Sequence, residues 1–186
     1  MAIRQPAARP SRAPRRMTEQ QYLALPEEKP YLEFVDGRIE EKPMPDDNHR
    51  RLTGEITGLF WMFEKTAGGD FGPEGRARLR DGLYRLPDTA YWAPGRPAGK
   101  DSLPSLAVEV LSPEDSRPAL RRKCRAYREY GVDAGWLVDP DRRVVEVFEG
   151  DRDGSVLGAD DTLTSAVMPG FELPLAELFA VLDRPR

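Results

Sequence analysis

The sequence predicts a mixed α/β (α+β) fold, a central sheet flanked by helices, with residues 17–186 forming one domain whose elements run to about residue 182. Three observations carry this. Residues 106–111, LAVEVL, and 135–139, GWLVD, are short, mostly apolar runs of the kind found in strands buried on both faces. Residues 48–66 and 117–130 show helical periodicity. The chain has 186 residues, the length of one domain with a sizeable core.

In order along the chain, Thr18-Glu19-Gln20-Gln21 reads as a capping box that opens a short helix through Leu25, and Pro26 ends it. Residues 31–41, YLEFVDGRIEE, form a hairpin around Asp36-Gly37, the strongest two-residue turn signal. Pro43 and Pro45 make a loop. In the helix over 48–66, Leu52, Ile56, Leu59 and Phe63 recur at helical spacing, and Gly68-Gly69 stops it. A second hairpin covers 76–86 around Asp81-Gly82, residues 88–92 continue as a strand, and Pro94-Gly95-Arg96-Pro97 breaks the chain. The helix over 117–130 carries Pro118 in its first turn and closes at Gly131. Arg143 to Phe148 pairs antiparallel with the 135–139 strand, turned by Pro140-Asp141. Short strands follow near 155–157 and 161–167, and Leu173 to Leu182 reads as a small helix with Pro174 at its start.

Composition excludes several classes. A single cysteine, Cys124, allows no internal disulfide and no cysteine-based zinc site. A single histidine, His49, allows no two-histidine metal site. No apolar run reaches membrane-spanning length, and the Arg- and Pro-rich start has no apolar signal core, so a reducing cytoplasm is the expected setting. Net charge is −4, but unevenly spread. Residues 1–16 hold Arg4, Arg9, Arg12, Arg15 and Arg16 and no acid, which leaves 23 of the 28 basic residues against all 32 acidic ones, a net −9. This disordered low-complexity tail is either a phosphate-binding arm or an overlong start upstream of Met17; the second is the simpler reading. An acidic body argues against broad coating of nucleic acid, but not against acids that hold metal ions at one site. No phosphate-binding loop, dinucleotide fingerprint or nucleophile elbow is present, so no nucleotide cofactor is expected.

Charge also sits where packing disfavours it. Glu109 lies inside the most apolar strand, where a carboxylate is costly unless paired or metal-bound. On a helical wheel with Leu120 at zero, Lys123 falls at about −60°, between Tyr127 at about −20° and Tyr130 at about −80°. Arg121, Arg122, Arg125 and Arg128 fall on the opposite side, which reads as solvated surface or as a phosphate contact. The alternative for Lys123 is snorkelling along the face edge. Asp88 opens a strand after Pro87, where an Asp is also ordinary turn chemistry. Glu33 sits mid-strand between Leu32 and Phe34, or else at an exposed edge. His49 lies one turn before Leu52 and reads as a structural or capping histidine. Two carboxylates can hold a hard cation such as Mg²⁺, and a nearby lysine can orient water or stabilise phosphate charge.

Asp88 after Pro87, Glu109 in AVEVLSP and Lys123 in RRKCRAYREYGV together resemble the PD-(D/E)-x-K nuclease pattern. More narrowly, the chain resembles the restriction-endonuclease-like Uma-two family. The matching segments are YLEFVDGRIEEKPMP at 31–45, His49, LPD at 86–88, LAVEVLSP at 106–113, YREYGV at 127–132, WLVDPDRRVVEVFE at 136–149 and PGFELPLAELF at 169–179. The resemblance implies a restriction-endonuclease-like mixed sheet and a DNA endonuclease dependent on Mg²⁺, with Mn²⁺ as a substitute. It implies Asp88 and Glu109 as metal ligands, with Glu33 as a further acid at the metal. Lys123 stands in for the motif lysine, since Leu111 occupies the position two residues after Glu109. His49 matches a family histidine without an assigned role. Ala119 replaces a frequent acid, and TAYW replaces an aliphatic run. A homodimer would supply two sites for two strands. The competing reading is a non-catalytic nucleic-acid-binding or interaction module on the same scaffold, suggested by the acidic body and the missing in-strand lysine.

Overall fold

The protein is described by a computed structural model covering residues 16–26, 30–99 and 101–185. Helix α1 (Glu19–Leu23) starts with the expected capping box: the Gln21 amide donates to Thr18 Oγ1 and the Thr18 amide to Gln21 Oε1. Strands β1 (Leu32–Val35) and β2 (Arg38–Glu41) form the first hairpin, with Asp36 and Gly37 both at positive φ in its turn. Ahead of it, Arg16 bridges to Arg38, and the Met17 amide donates to Gly37 O, so ordered structure reaches one residue into the expected tail. The other four tail arginines lie outside the described residues. Helix α2 (Asp47–Ala67) is capped by Asp46, whose carboxylate accepts from the His49 amide.

There follow β3 (Asp70–Pro73), β4 (Ala77–Arg80), β5 (Leu83–Arg85), β6 (Thr89–Trp92), β7 (Leu106–Val110), helix α3 (Arg117–Glu129), β8 (Ala134–Asp139), β9 (Val144–Glu149), β10 (Arg152–Leu157), β11 (Thr162–Thr164), β12 (Glu172–Pro174), helix α4 (Leu175–Ala180) and a 3₁₀ turn (Val181–Asp183). A six-stranded mixed sheet has the order β10-β9-β8-β7-β6-β3, a four-stranded sheet β2-β1-β5-β4, and β11 pairs with β12. Strands β7 and β8 run parallel, which requires the crossover that α3 provides.

The large sheet buries both faces differently. On one side Val108, Val110, Trp136, Val138, Val145 and Val147 meet Leu52, Ile56 and Phe60 of α2 and Leu178 and Phe179 of α4. On the other side lies α3, with Cys124 against Leu137 and Phe148, and Tyr127 against Ala107 and Val132. Ala107, Glu109 and Leu137 share this second face by strand alternation. The small sheet reaches the same helix through Leu79 and Leu83. Glu33 is therefore on an interior strand, β1 being paired on both sides, and is buried rather than at an exposed edge.

Three local expectations change. Strand β3 follows directly on Gly68-Gly69; its Gly and Pro content hides it, and it survives as an edge strand paired with β6 alone. Glu172–Pro174 stays extended as β12, because Pro174 keeps Leu173 out of the helical region, so the helix begins at Leu175. On α2 the centre of the buried face is Phe60, with Leu59 and Phe63 half-buried on either side. Phe60 contacts Tyr91, Trp136 and Phe171 at ring-centroid distances of 6.1, 5.9 and 6.1 Å. Phe60→Ala is expected to destabilise the fold by about 3–5 kcal/mol and Leu59→Ala by clearly less. Urea unfolding of the two variants measures this, and equal losses would contradict the assigned face.

Candidate functional site

Residues from five segments meet at the carboxyl end of β7. Asp88, just before β6, is pinned by main chain: its amide donates to Val108 O at 2.9 Å, and the Val110 amide donates to its Oδ2 at 2.7 Å. Two side chains also meet the carboxylate, one at each oxygen. Lys42 Nζ lies 2.7 Å from Asp88 Oδ1 and 2.7 Å from Leu86 O, while His49 Nε2 is 3.1 Å from Asp88 Oδ2. His49 thus reaches the cleft from the first turn of α2.

Glu109 stands one strand away. Its Oε1 accepts from the Tyr127 hydroxyl at 2.7 Å and from Lys123 Nζ at 2.9 Å. Lys123 also reaches Glu33 Oε1 at 2.6 Å, so one ammonium bridges the two sheets. Glu33 further accepts from the Leu86 amide at 2.8 Å and, through Oε2, from Arg85 Nη1 at 2.6 Å. Lys123 is 8% exposed, which excludes snorkelling into solvent. Glu33, Lys42, His49, Asp88, Glu109 and Lys123 line one cleft of about 200 Å³.

The electrostatics follow from burial and pairing. Burial pushes the Glu33 carboxyl up, but the Lys123 and Arg85 charges outweigh it and bring it down to about 2. Asp88 likewise resists burial through Lys42 and His49 and lies below the usual range. For Glu109 burial wins, helped by the negative charge of Asp88, and its carboxyl is raised in spite of Lys123. Burial opposes the charge of Lys123, yet Glu109 and Glu33 together hold it above the ordinary lysine value. Burial and the Glu109 charge raise the Tyr127 phenol far above its usual value, so Tyr127 stays a proton donor to Glu109.

The sequence-predicted residues Glu33, Asp88, Glu109 and Lys123 are thus neighbours, and so is His49. Lys42, Arg85 and Tyr127 are part of the same network without having been singled out as such. Tyr127 was adjacent to Lys123 on the helical wheel, and Lys42 lies within the 31–45 segment; Arg85 had no separate signal. The arginine side of α3 is not a bare surface. Arg117 Nη2 and Arg121 Nε reach buried Glu146 at 2.5 and 3.0 Å, Arg125 pairs with Asp153 at 2.8 Å, and Arg128 donates to the carbonyls of Val132 and Asp133.

Do these residues fit a divalent cation? Asp88 and Glu109 supply hard carboxylate oxygens, and each already attracts an ammonium at 2.7 or 2.9 Å. Lys42, held between Asp88 Oδ1 and Leu86 O, shows that these oxygens can hold positive charge. Glu33 accepts from the Leu86 amide, Lys123 and Arg85, much as Asp88 is met by Lys42, His49 and the Val110 amide. Among the described residues, no group of three or more His, Cys, Asp and Glu side chains is gathered as a metal cage.

A model of the Uma2 family, described as "Putative restriction endonuclease", matches residues 19–176. The chain belongs to the Uma2 family. Membership supports a nuclease role, and with it a nucleic-acid substrate. The solved structure of "a putative nuclease belonging to DUF820 from Anabaena variabilis ATCC 29413" superposes with a TM-score of 0.78 at 24% sequence identity, covering 89% of this chain and 99% of that one. That likeness establishes the fold, a multistranded mixed sheet flanked by helices. Comparison with curated proteins finds no match. Among the described residues, no helix of this Uma2 protein is long and apolar enough to cross a membrane.

A pH test follows from the Glu33 pairing. The unfolded chain takes up this proton near the ordinary value of 4.5, and the folded one only near about 2. The stability that Glu33 contributes is therefore complete above the ordinary value and is lost as pH falls towards the lower one. Glu33→Gln is expected to flatten the acid limb of the stability curve, with Asp88 retaining part of the slope. Urea unfolding across that range checks it, and an unchanged slope would remove the ion-pair account.

Proposed function

We propose that this Uma2 protein is a Mg²⁺-dependent DNA endonuclease that hydrolyses phosphodiester bonds. The observation that carries the reading is the convergence of Asp88, Glu109 and Lys123 in one cleft, with Lys123 Nζ 2.9 Å from Glu109. Asp88 and Glu109 would hold the cation. When bound, it would acidify water and neutralise charge on the phosphate, as divalent ions do in such sites.

The chain's own residues supply the remainder. Lys123, kept protonated by its carboxylate neighbours, is placed to donate to a phosphate oxygen as charge grows there. Glu33 acts as a positioning residue: it shares the Lys123 ammonium with Glu109. The Tyr127 hydroxyl and the Val110 amide orient Glu109 and Asp88. In the reaction, a water oxygen bonds to phosphorus, the phosphorus–oxygen ester bond breaks, and the leaving oxygen gains a proton.

A second reading has one observation in its favour. Lys42, Lys123 and Arg85 already balance the three acids, so the cleft is stable as a closed ion-pair network without any cation. A non-catalytic nucleic-acid-binding module would need no more than that.

Nicking of supercoiled plasmid with Mg²⁺ or Mn²⁺ separates the two. Wild-type protein is expected to nick; Glu109→Ala to abolish nicking; Lys123→Ala to slow it by about 10²–10³-fold, the usual cost of one charge-stabilising donor. Mn²⁺ binding, followed by its paramagnetic resonance signal, is expected in the wild type and weakened in Glu109→Ala. Nicking that survives Glu109→Ala would reject this site. Absence of both nicking and Mn²⁺ binding would favour the binding module.

A further inference from the structure

The reacting groups lie deep, and what surrounds them is acidic. Asp88 and Glu109 are 3% and 2% exposed, so a phosphate must descend into the cleft to reach them. Glu40, Glu41 and Glu74 line the same cleft, and the chain is acidic as a whole. A double helix presents a charge per about 1.7 Å of axis and a single strand one per about 3.4 Å. Approach of a duplex to this rim therefore meets about twice the repulsion per unit length. The duplex also carries its two backbones on a broad, stiff cylinder, whereas the cleft holds only about 200 Å³.

Apolar groups stand on the same walls. Met44 is 66% exposed, between Pro43 and Pro45 in the segment joining β2 to α2. Half-buried Tyr31 lines the cleft nearby, its hydroxyl hydrogen-bonded to Glu74. An aromatic ring held by its hydroxyl beside a buried charged site is a stacking platform for an unpaired base, and base–aromatic stacking tolerates any sequence. It offers a paired base nothing, since that base is already stacked and must first be extruded at a cost.

We infer that the cleft takes a single-stranded polynucleotide segment, such as a flap, an overhang or a melted stretch, and excludes intact duplex, with Tyr31 stacking on a base beside the scissile phosphate. The inference rests on the nuclease reading above and names its substrate class. It also makes supercoiled plasmid a substrate through its melted stretches, and relaxed or linear duplex a poor one.

The test uses the full chain with Mn²⁺ and fluorescent oligonucleotides of one sequence, as DNA single strand, RNA single strand, blunt DNA duplex and DNA duplex with a single-stranded flap. Cleavage is read on gels and binding by anisotropy. Single-stranded and flapped substrates are expected to be cut at least about tenfold faster than the blunt duplex, with cuts confined to unpaired segments. Tyr31→Ala is expected to weaken single-strand binding about tenfold while the thermal unfolding midpoint stays put, and Tyr31→Phe or Tyr31→Trp to retain most of it. The DNA and RNA arms identify which single strand is preferred, and preference for either supports the inference. Cleavage of the blunt duplex as fast as the single strand would overturn the inference and leave the nuclease reading standing. Full single-strand binding by Tyr31→Ala would overturn the stacking role. No binding or cutting of any substrate would overturn both readings.

Discussion

The Lys123 ammonium, held at 2.6 Å from Glu33 and 2.9 Å from Glu109, is the interaction on which the rest of the site depends. It ties three elements together: β1 of the small sheet, β7 of the large one and α3, which crosses between β7 and β8. All three charged groups are buried, and each would be prohibitively costly alone. Losing one partner of such a set costs about 3–5 kcal/mol, because the others are left uncompensated. A sequence that only needed stability would place apolar residues here. Keeping charges in the interior carries a stability cost, and what it gives is a set of paired oxygen and nitrogen atoms facing a cleft.

Asp88 is held in a different way. Two main-chain hydrogen bonds to β7 set its position, so its geometry follows from strand pairing more than from side-chain packing. Lys42 meets its Oδ1 from the segment between β2 and α2, and His49 meets its Oδ2, beside the Val110 amide, from the first turn of α2. The carboxylate nearest the main chain is thus the more acidic, while Glu109, raised by burial and by the charge of Asp88, holds its proton more readily. Two acids of unlike affinity set side by side are suited to a role in which positive charge enters and leaves.

Much of this was legible from residue order. Turn chemistry placed both hairpins, the capping box placed α1, and the apolar runs placed β7 and β8. Glu109 stood out because a carboxylate in an apolar strand needs a partner, and Lys123 because it falls beside Tyr127, away from Arg121, Arg122, Arg125 and Arg128. Strand β3 was not legible, since Gly and Pro erase the pattern of an edge strand. Nor was β12, where Leu163 supplies the partner that Leu173 needs to stay extended. Lys42 and Arg85 stayed hidden for a common reason. Each is an ordinary basic residue of a surface-type segment until its partners, Asp88 at 46 residues' separation and Glu33 at 52, are brought to it.

By itself the sequence determined the class of fold, the order of its elements and the acids and lysine out of place in apolar surroundings, because periodicity, turn chemistry and the cost of buried charge all act locally. Only the tertiary structure decided what those charges do to one another. Pairing of β1 on both edges turned Glu33 from a possible surface acid into the buried anchor of Lys123. The same folding engaged most of the α3 arginines with Glu146, Asp153 and main-chain carbonyls, and it closed the cleft around Asp88 and Glu109. Those outcomes depend on distances between residues far apart in the chain, and such distances exist only once the two sheets have packed on α3.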